Sequence, residues 1–366
     1  MPRLSTGPRP RACLAGVRAY TPGRPIEEVQ RALGLRRVIK LASNENALGP
    51  SPKALTAARQ ALAQVHRYPD AGGFLLRRRL ARHLRVRPEE LILGNGSDEL
   101  LVLVLRAFVE PGDEVVVADP TFLIYDIAAT ACGARVIKVP LRHYRYDLAA
   151  MRRAITRRTK VVFIANPDNP TGTYVTRQEV ARFLDGWPRG VVACFDEAYY
   201  EFVTARDYPQ TIPLVRRLPL FVTRSFSKAY GLAGLRIGYG IGSPALVRWM
   251  DRVREPFNVN LVAQQAALAA LDDRGYLART RALLRQGYAY VTEACDRLGL
   301  RYVPSVTNFL LIETGPRSRQ IAQQLLRRGV IVREMSAWGL DQCIRVTLGT
   351  MTENRQCVRA LTQSLR

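Results

Sequence analysis

The chain has 366 residues, of which 48% are hydrophobic and 23% charged, a composition that is typical of a globular protein and excludes a mostly disordered one. It carries 55 basic and 31 acidic side chains, a formal charge of +24, yet only five of the basic residues are lysines and the arginines are scattered from end to end. This scatter does not favour a nucleic-acid groove, although it predicts a positive field that attracts anions. The six cysteines and three histidines lack metal-ligand spacing, which predicts reduced thiols and no metal site. Without an apolar run long enough for a bilayer or a secretory signal, the sequence predicts a cytoplasmic protein.

Hydrophobic patterns in chain order predict an α/β protein with an arm and two domains. Residues 1–40 are rich in proline, arginine and glycine and predict an N-terminal arm. Short apolar runs alternate with helical patterns over 41–256, which predicts a large domain whose mainly parallel sheet is flanked by helices. Long helical stretches with three further strands predict a small α+β domain over 257–366. The predicted strands cover 91–93, 114–118, 135–139, 161–165, 191–195, 220–223, 237–241, 308–313, 330–333 and 344–348.

A lysine follows the apolar run 220–223, within the sequence SFSKAYGLAGLR that begins at Ser225. At the end of a core strand Lys228 is poorly solvated, which favours its neutral and nucleophilic amine. Arginine cannot take this role, because a guanidinium stays protonated and forms no imine. Taken alone, the motif is better explained by a surface or ion-pairing lysine.

Two more strands are followed by polar residues at the same predicted sheet edge. The run 191–195 leads into Asp196 and Tyr199, and a carboxylate at this position can keep an aromatic ring nitrogen protonated. Capping of the next turn accounts equally well for Asp196. The run 161–165 leads into NPDNPTG (166–172), a rigid turn that either directs the Asn169 amide toward a ligand oxygen or is only structural.

The strand 91–93 leads through a glycine turn into a helix. Glycine-rich turns that open a helix present free N–H groups and a positive dipole to a phosphate. Gly96, Ser97 and Asp98 stand at this turn, but the third glycine of a dinucleotide motif is replaced by Glu99. Further phosphate donors are available from Ser225, Ser227 and Arg236. Together these elements predict one ligand, pyridoxal phosphate.

The same motifs carry a family resemblance. The chain resembles the fold-type I pyridoxal-phosphate aminotransferases over nearly its whole length and, within them, the histidinol-phosphate aminotransferase family. The matching segments are SFSKAYGLAGLRIGY (225–239), NPDNPTG, DEAYYEF (196–202), YTPGRPIEEVQRALGL (20–35), LASNENALGPSPKAL (41–55), HRYPD (66–70) and CIRVTLGT (343–350).

The resemblance implies a role for each matching residue. Lys228 is expected to form the Schiff base with the cofactor and to move the proton. The expected cofactor contacts are Asp196 at the ring nitrogen, Tyr199 and Asn169 at the ring oxygen, Phe122 on the ring face, and Gly96, Ser97, Asp98, Ser225, Ser227 and Arg236 around the phosphate. Tyr68 is expected to reach the phosphate from the partner subunit, which implies a homodimer with shared sites. The expected substrate residues are Tyr20, Asn44, Arg333 and Arg345, with the arm acting as part of the small domain and as a lid.

The implied reaction is transamination between histidinol phosphate and 2-oxoglutarate in histidine biosynthesis, by a ping-pong cycle through Lys228. The alternatives are an aromatic amino-acid aminotransferase, a phosphothreonine decarboxylase, which the LAGLR sequence disfavours, and a basic nucleic-acid-binding protein on an inactive scaffold. The chain also departs from the family, which commonly has Tyr at Phe122, Asn at Asp168 and a more acidic stretch at 72–79.

Overall fold

The computed structural model describes residues 9–17 and 19–366. Within these residues the chain forms two β-sheets and the helices that cover them. The strands are β1 (Ile39–Leu41), β2 (Leu91–Gly94), β3 (Glu114–Asp119), β4 (Arg135–Pro140), β5 (Thr159–Ala165), β6 (Val192–Asp196), β7 (Leu220–Ser225), β8 (Gly238–Ile241), β9 (Arg301–Val303), β10 (Phe309–Glu313), β11 (Val330–Glu334) and β12 (Cys343–Thr347). The helices are α1 (Ile26–Leu33), α2 (Pro52–Ala61), α3 (Phe74–Leu84), α4 (Gly96–Phe108), α5 (Ile124–Ala131), α6 (Leu148–Arg153), α7 (Arg177–Leu184), α8 (Pro244–Asp251), α9 (Leu261–Ala270), α10 (Arg274–Arg297), α11 (Ser318–Arg327) and α12 (Met351–Leu365).

The larger sheet has the strand order β2-β8-β7-β6-β5-β3-β4. Only β8 runs antiparallel to its neighbours, and the other pairs are parallel. Strands β6 and β7 are buried at every position, as expected for strands that have helices on both faces. The prediction of an α/β fold with a mainly parallel sheet is therefore confirmed.

The smaller sheet has the strand order β1-β11-β12-β10-β9. Its first strand, β1, pairs in parallel with β11, so the end of the predicted arm belongs to this sheet. The patterns missed β1 and β9, which have only three residues each. Helix α9 buries alanines in the core of the larger sheet, next to α2. The domain boundaries given above remain a prediction.

Strand register explains why the predicted motifs meet. Ala165 at the end of β5 pairs with Asp196 at the end of β6, and Asp196 pairs with Thr223 on β7. The residues that follow these strands therefore lie at one edge of the sheet, close to the start of α4. In the part of the chain that the structure describes, no helix has the length and apolar character of a membrane span.

Candidate active site

One cavity of about 290 Å³ brings the predicted residues together. Every predicted site residue lines it except Gly96 and Tyr68. The residues that line it are Tyr20, Asn44, Ser97, Asp98, Phe122, Asn169, Asp196, Tyr199, Ser225, Ser227, Lys228, Arg236, Arg333 and Arg345, together with Tyr125, Trp338 and neighbours that were not predicted. No group of side chains suited to hold a metal ion occurs among the described residues.

Lys228 lies in the turn after β7 and extends into the cavity. Its Nζ donates a hydrogen bond of 3.4 Å to the backbone carbonyl of Ser43 and lies 5.7 Å from the centroid of the Tyr199 ring. The Tyr199 hydroxyl accepts a hydrogen bond of 2.9 Å from the Asn44 amide. A single amine thus stands between the segment after β1 and the polar end of β6.

Asp196 is a buried carboxylate at the end of β6. Its Oδ1 accepts hydrogen bonds from the Thr223 hydroxyl at 3.0 Å and the Ala198 amide at 3.2 Å, and its Oδ2 accepts one from the Tyr125 hydroxyl at 2.8 Å. Burial raises the pKa of Asp196 to about 6, although the hydrogen bonds from Tyr125 and Thr223 oppose this shift. A cationic ligand group beside this carboxylate would favour its ionised form.

The start of α4 forms a polar cradle with Arg236. The guanidinium lies 3.2 Å from the Asp98 carboxylate and donates to the Ser227 hydroxyl at 3.4 Å. Gly96 has φ +76°, and a Cβ at this position would collide with the Arg236 guanidinium. A Cβ on Gly238 would lie 2.6 Å from the backbone nitrogen of Ser97. The two glycines therefore let the guanidinium and the first N–H groups of the helix lie close together, as an anion site requires.

Two arginines face each other across β11 and β12 at the other end of the cavity. Arg333 pairs with Arg345 in the strand register. Arg345 is buried and donates to the Ala42 carbonyl at 3.0 Å and to the Asn169 side-chain oxygen, but its buried Nε has no hydrogen-bond partner among the described residues. Burial lowers the pKa of Arg345. A buried cation with an unused donor is suited to a bound anion.

Arg333 connects this end of the cavity to the arm. It donates to the Thr21 carbonyl at 2.8 Å, and its guanidinium lies 5.7 Å from the Tyr20 ring and 4.9 Å from the Trp338 ring. Trp338 and Tyr125 were missed by sequence reasoning. The only signal for Tyr125 is its position three residues after Phe122, which lies just before α5.

Tyr68 lies outside the cavity. It is 81% exposed and its ring stacks on Phe257 with the centroids 4.6 Å apart. Its predicted contact with a partner subunit stays a prediction.

The residues present fit pyridoxal phosphate. Asp196 is a buried acid with a place for a cationic ring nitrogen, the cradle at Gly96 offers N–H, hydroxyl and guanidinium donors to a phosphate, and Lys228 offers an amine. A second anion site at Arg345 lies on the same cavity. The arrangement can thus hold a phosphorylated aromatic aldehyde and an anionic reactant together.

Comparisons with known proteins agree with this geometry. Residues 36–361 match the family model "Aminotransferase class I and II". The chain is 48% identical to histidinol-phosphate aminotransferase of Moorella thermoacetica over 99% of this chain and 94% of the relative. It is 46% identical to the enzyme of that name from an Anaeromyxobacter species, over 95% and 96%.

A solved structure is similar as well. The crystal structure of histidinol-phosphate aminotransferase from Sinorhizobium meliloti in complex with pyridoxal-5'-phosphate matches with a TM-score of 0.91 and 30% identity, over 99% of each chain. These matches confirm the resemblance that the motifs predicted. The chain belongs to the class I and II aminotransferases and, among them, to the histidinol-phosphate aminotransferase family.

Proposed function

We propose that this chain is a pyridoxal-phosphate-dependent transaminase that moves the amino group of L-histidinol phosphate to 2-oxoglutarate, giving imidazole-acetol phosphate and glutamate. The observation that carries the proposal is one cavity with a lysine amine, a buried carboxylate and two separate arginine-based anion sites. The names of the relatives and the S. meliloti structure support both the substrate and the cofactor.

The protein residues would hold the cofactor at four points besides Lys228. The Asp196 carboxylate would hold the ring nitrogen in its protonated form, and Tyr199 with Asn169 would bind the ring oxygen. Phe122 would cover one ring face. The phosphate would lie at the start of α4, with donors from Gly96, Ser97, Ser225, Ser227 and Arg236, while Asp98 orients Arg236. When bound, the cofactor supplies an aldehyde that links to amines and a ring that withdraws electrons from the adjacent bonds.

Lys228 would act twice. Its amine would bind the cofactor covalently between turnovers. Once a substrate amine has displaced Lys228, the free Nζ would take a proton from the substrate carbon and deliver it to the cofactor carbon that carried the aldehyde. The position of Nζ near the Tyr199 ring and the Ser43 carbonyl supports this role.

Arg345 and Arg333 would bind the far end of each substrate. Histidinol phosphate presents a phosphate and glutamate a carboxylate, and planar guanidinium groups can bind either anion through paired hydrogen bonds. Tyr20 and Asn44 complete this part of the wall. Because the two substrates occupy the site in turn, one anion site can serve both half-reactions.

We also propose a symmetric homodimer in which Tyr68 completes the phosphate site of the partner subunit. The support is the exposure of several large apolar side chains, Leu62, Val65, Tyr68 and Phe257, of which Tyr68 and Phe257 stack on each other. A cytoplasmic location remains a prediction from the sequence.

The test is a comparison of amino donors on the purified protein. We expect a visible absorbance band on addition of pyridoxal phosphate that borohydride removes, and glutamate formation from 2-oxoglutarate that is at least about tenfold faster with histidinol phosphate than with phenylalanine. Equal or faster reaction with phenylalanine would instead identify an aromatic amino-acid aminotransferase. A protein that gains no band and retains DNA would support the nucleic-acid alternative.

A further inference from the structure

Tyr125 is a fully buried residue of the cavity wall whose function no motif announces. It lies on α5, where its ring stacks on Phe163 with the centroids 4.8 Å apart and meets Phe122 edge-on at 5.7 Å. Its hydroxyl donates a hydrogen bond of 2.8 Å to Oδ2 of Asp196. Tyr125 therefore contacts both the residue expected on the ring face and the residue expected at the ring nitrogen.

The two oxygens of Asp196 differ in how many donors they receive. Oδ1 accepts two hydrogen bonds, from the Thr223 hydroxyl and the Ala198 amide. Oδ2 accepts one from Tyr125 and no other from the described residues. Because a carboxylate oxygen has two lone pairs, Oδ1 is filled while Oδ2 keeps one acceptor position. Oδ2 is therefore the atom that can receive an N–H group from a ligand.

On the basis of the proposed function, we propose that Tyr125 is a positioning residue: it holds Oδ2 of Asp196 toward the ring nitrogen of pyridoxal phosphate and keeps this carboxylate ionised. A hydrogen bond donated to a carboxylate stabilises the charged form. Thr223 would serve only to anchor the opposite oxygen.

The charge of the Asp196 carboxylate depends on the hydrogen bond that it receives from the Tyr125 hydroxyl. Burial raises the pKa of Asp196 and the charge of Asp98 adds to the shift, so the carboxylate depends on its donors to remain charged near neutral pH. Burial also raises the pKa of Tyr125 well above its ordinary value, so the hydroxyl keeps its proton and remains a donor. Without that hydroxyl, the Asp196 carboxyl would hold a proton more readily and would no longer offer the ring nitrogen a full counter-charge.

The test compares Tyr125→Phe with two matched variants. Thr223→Val removes the donor on the other oxygen of Asp196, and Tyr208→Phe removes a different buried tyrosine hydroxyl, which donates to the backbone of Asn166. Each protein is loaded with pyridoxal phosphate labelled with 15N in the ring, and the 15N chemical shift and the cofactor dissociation constant are measured at pH 7.

We expect Tyr125→Phe to move the 15N resonance toward that of an unprotonated ring and to weaken cofactor binding on the order of tenfold. Thr223→Val should have a smaller effect, about two- to threefold, and Tyr208→Phe none on the resonance. Phenylalanine keeps the stacking on Phe163, so the variant should fold.

The outcomes separate the two proposals. A wild-type protein that binds no pyridoxal phosphate would refute the proposed function. If the wild type binds it, an unchanged resonance in Tyr125→Phe, or an equal shift in Thr223→Val, would overturn the role of Tyr125. Loss of folding in Tyr125→Phe while Tyr208→Phe folds would also overturn it, because the hydroxyl would then be structural.

Discussion

The two anion sites of the cavity are built differently. In the cradle at the start of α4, Arg236 has a carboxylate partner, Asp98, and serine hydroxyls around it. At β11 and β12, Arg345 has no carboxylate within ion-pair distance among the described residues, its Nε is unused, and Arg333 lies beside it. An ion pair with an acid holds the guanidinium in one orientation before the ligand binds. Such a preorganised site suits a ligand that remains bound through many turnovers. A pair of arginines without an acidic partner suits anions that bind and dissociate in every turnover.

This difference assigns the cradle to the resident cofactor and the arginine pair to the exchanging substrates. Both assignments depend on a reaction centre between the two sites, which the structure supplies with Lys228. The following variants test the centre first and then each site.

Lys228→Ala should cause the largest loss. Without the amine neither the covalent link nor the proton transfer can occur, so turnover should fall at least about a thousandfold while the protein stays folded. Glutamate formation from histidinol phosphate and 2-oxoglutarate measures this. Lys53→Ala is the control, because that lysine is exposed and donates to the Asp272 carbonyl. Activity near the wild-type level in Lys228→Ala would refute the assignment of the reaction centre.

Arg345→Ala should have the second largest effect and should act on both substrates. Loss of charge-assisted hydrogen bonds predicts KM values raised on the order of thirtyfold for histidinol phosphate and for glutamate, measured in separate half-reactions. Arg345→Lys should be intermediate, since it keeps the charge but loses the planar fork. Arg328→Ala, an exposed arginine after α11, serves as the control. An effect on one substrate alone would mean that the anion site is not shared.

Arg236→Ala should weaken the binding of the cofactor and leave the binding of the substrates unchanged. We expect the dissociation constant of pyridoxal phosphate to rise about tenfold, a modest value because the Arg236 side chain is partly exposed. Once the variant is saturated with cofactor, its KM values should match the wild type. Arg106→Ala removes an exposed ion pair between α4 and Glu255 and is the matched control. Raised substrate KM values at saturating cofactor would contradict the division between the two sites.

The same comparison explains what could be predicted from the sequence. The cradle and the reaction centre follow buried apolar strands, and a strand such as β7 is visible as a continuous run because both of its faces are buried. The polar residues directly after such strands are therefore found by position alone. The glycine turn before α4 and the lysine in SFSKAYGLAGLR add residue types that indicate a phosphate and a reactive amine.

The features that the sequence does not predict depend on contacts between distant parts of the chain. β1 has three residues and exists as a strand because Ile39 pairs with Val330, which no local pattern can reveal. The hydrogen bond from Tyr125 to Asp196 joins residues 71 positions apart. Likewise, the need for glycine at Gly96 comes from the guanidinium of Arg236. The role of Arg345 was predicted only through the family resemblance, and its unused Nε is visible only in the structure.

Although Arg345 has no carboxylate partner among the described residues, a buried carboxylate lies close to the Asn169 contact of Arg345 in the chain. This is Asp168, next to Asn169, which accepts a hydrogen bond from Arg345. Its oxygens accept hydrogen bonds from the hydroxyls of Thr171 at 2.7 Å and Thr121 at 3.2 Å. Burial nevertheless raises the pKa of Asp168 to about 6. Its charge therefore opposes folding at neutral pH.

Asp168→Asn should make the protein more stable at pH 8 and have less effect at pH 5. Between the ordinary pKa of aspartate and about 6 the folded state binds more protons than the unfolded state, so wild-type stability falls as pH rises through this window. The amide removes that fall, which predicts a gain of about 1–3 kcal/mol in the free energy of unfolding at pH 8, reduced by any hydroxyl left without an acceptor. Urea unfolding at both pH values measures it, with the exposed Asp207→Asn as the control. An equal loss of stability at both pH values would mean that the hydrogen bonds of Asp168, rather than its charge, decide its contribution.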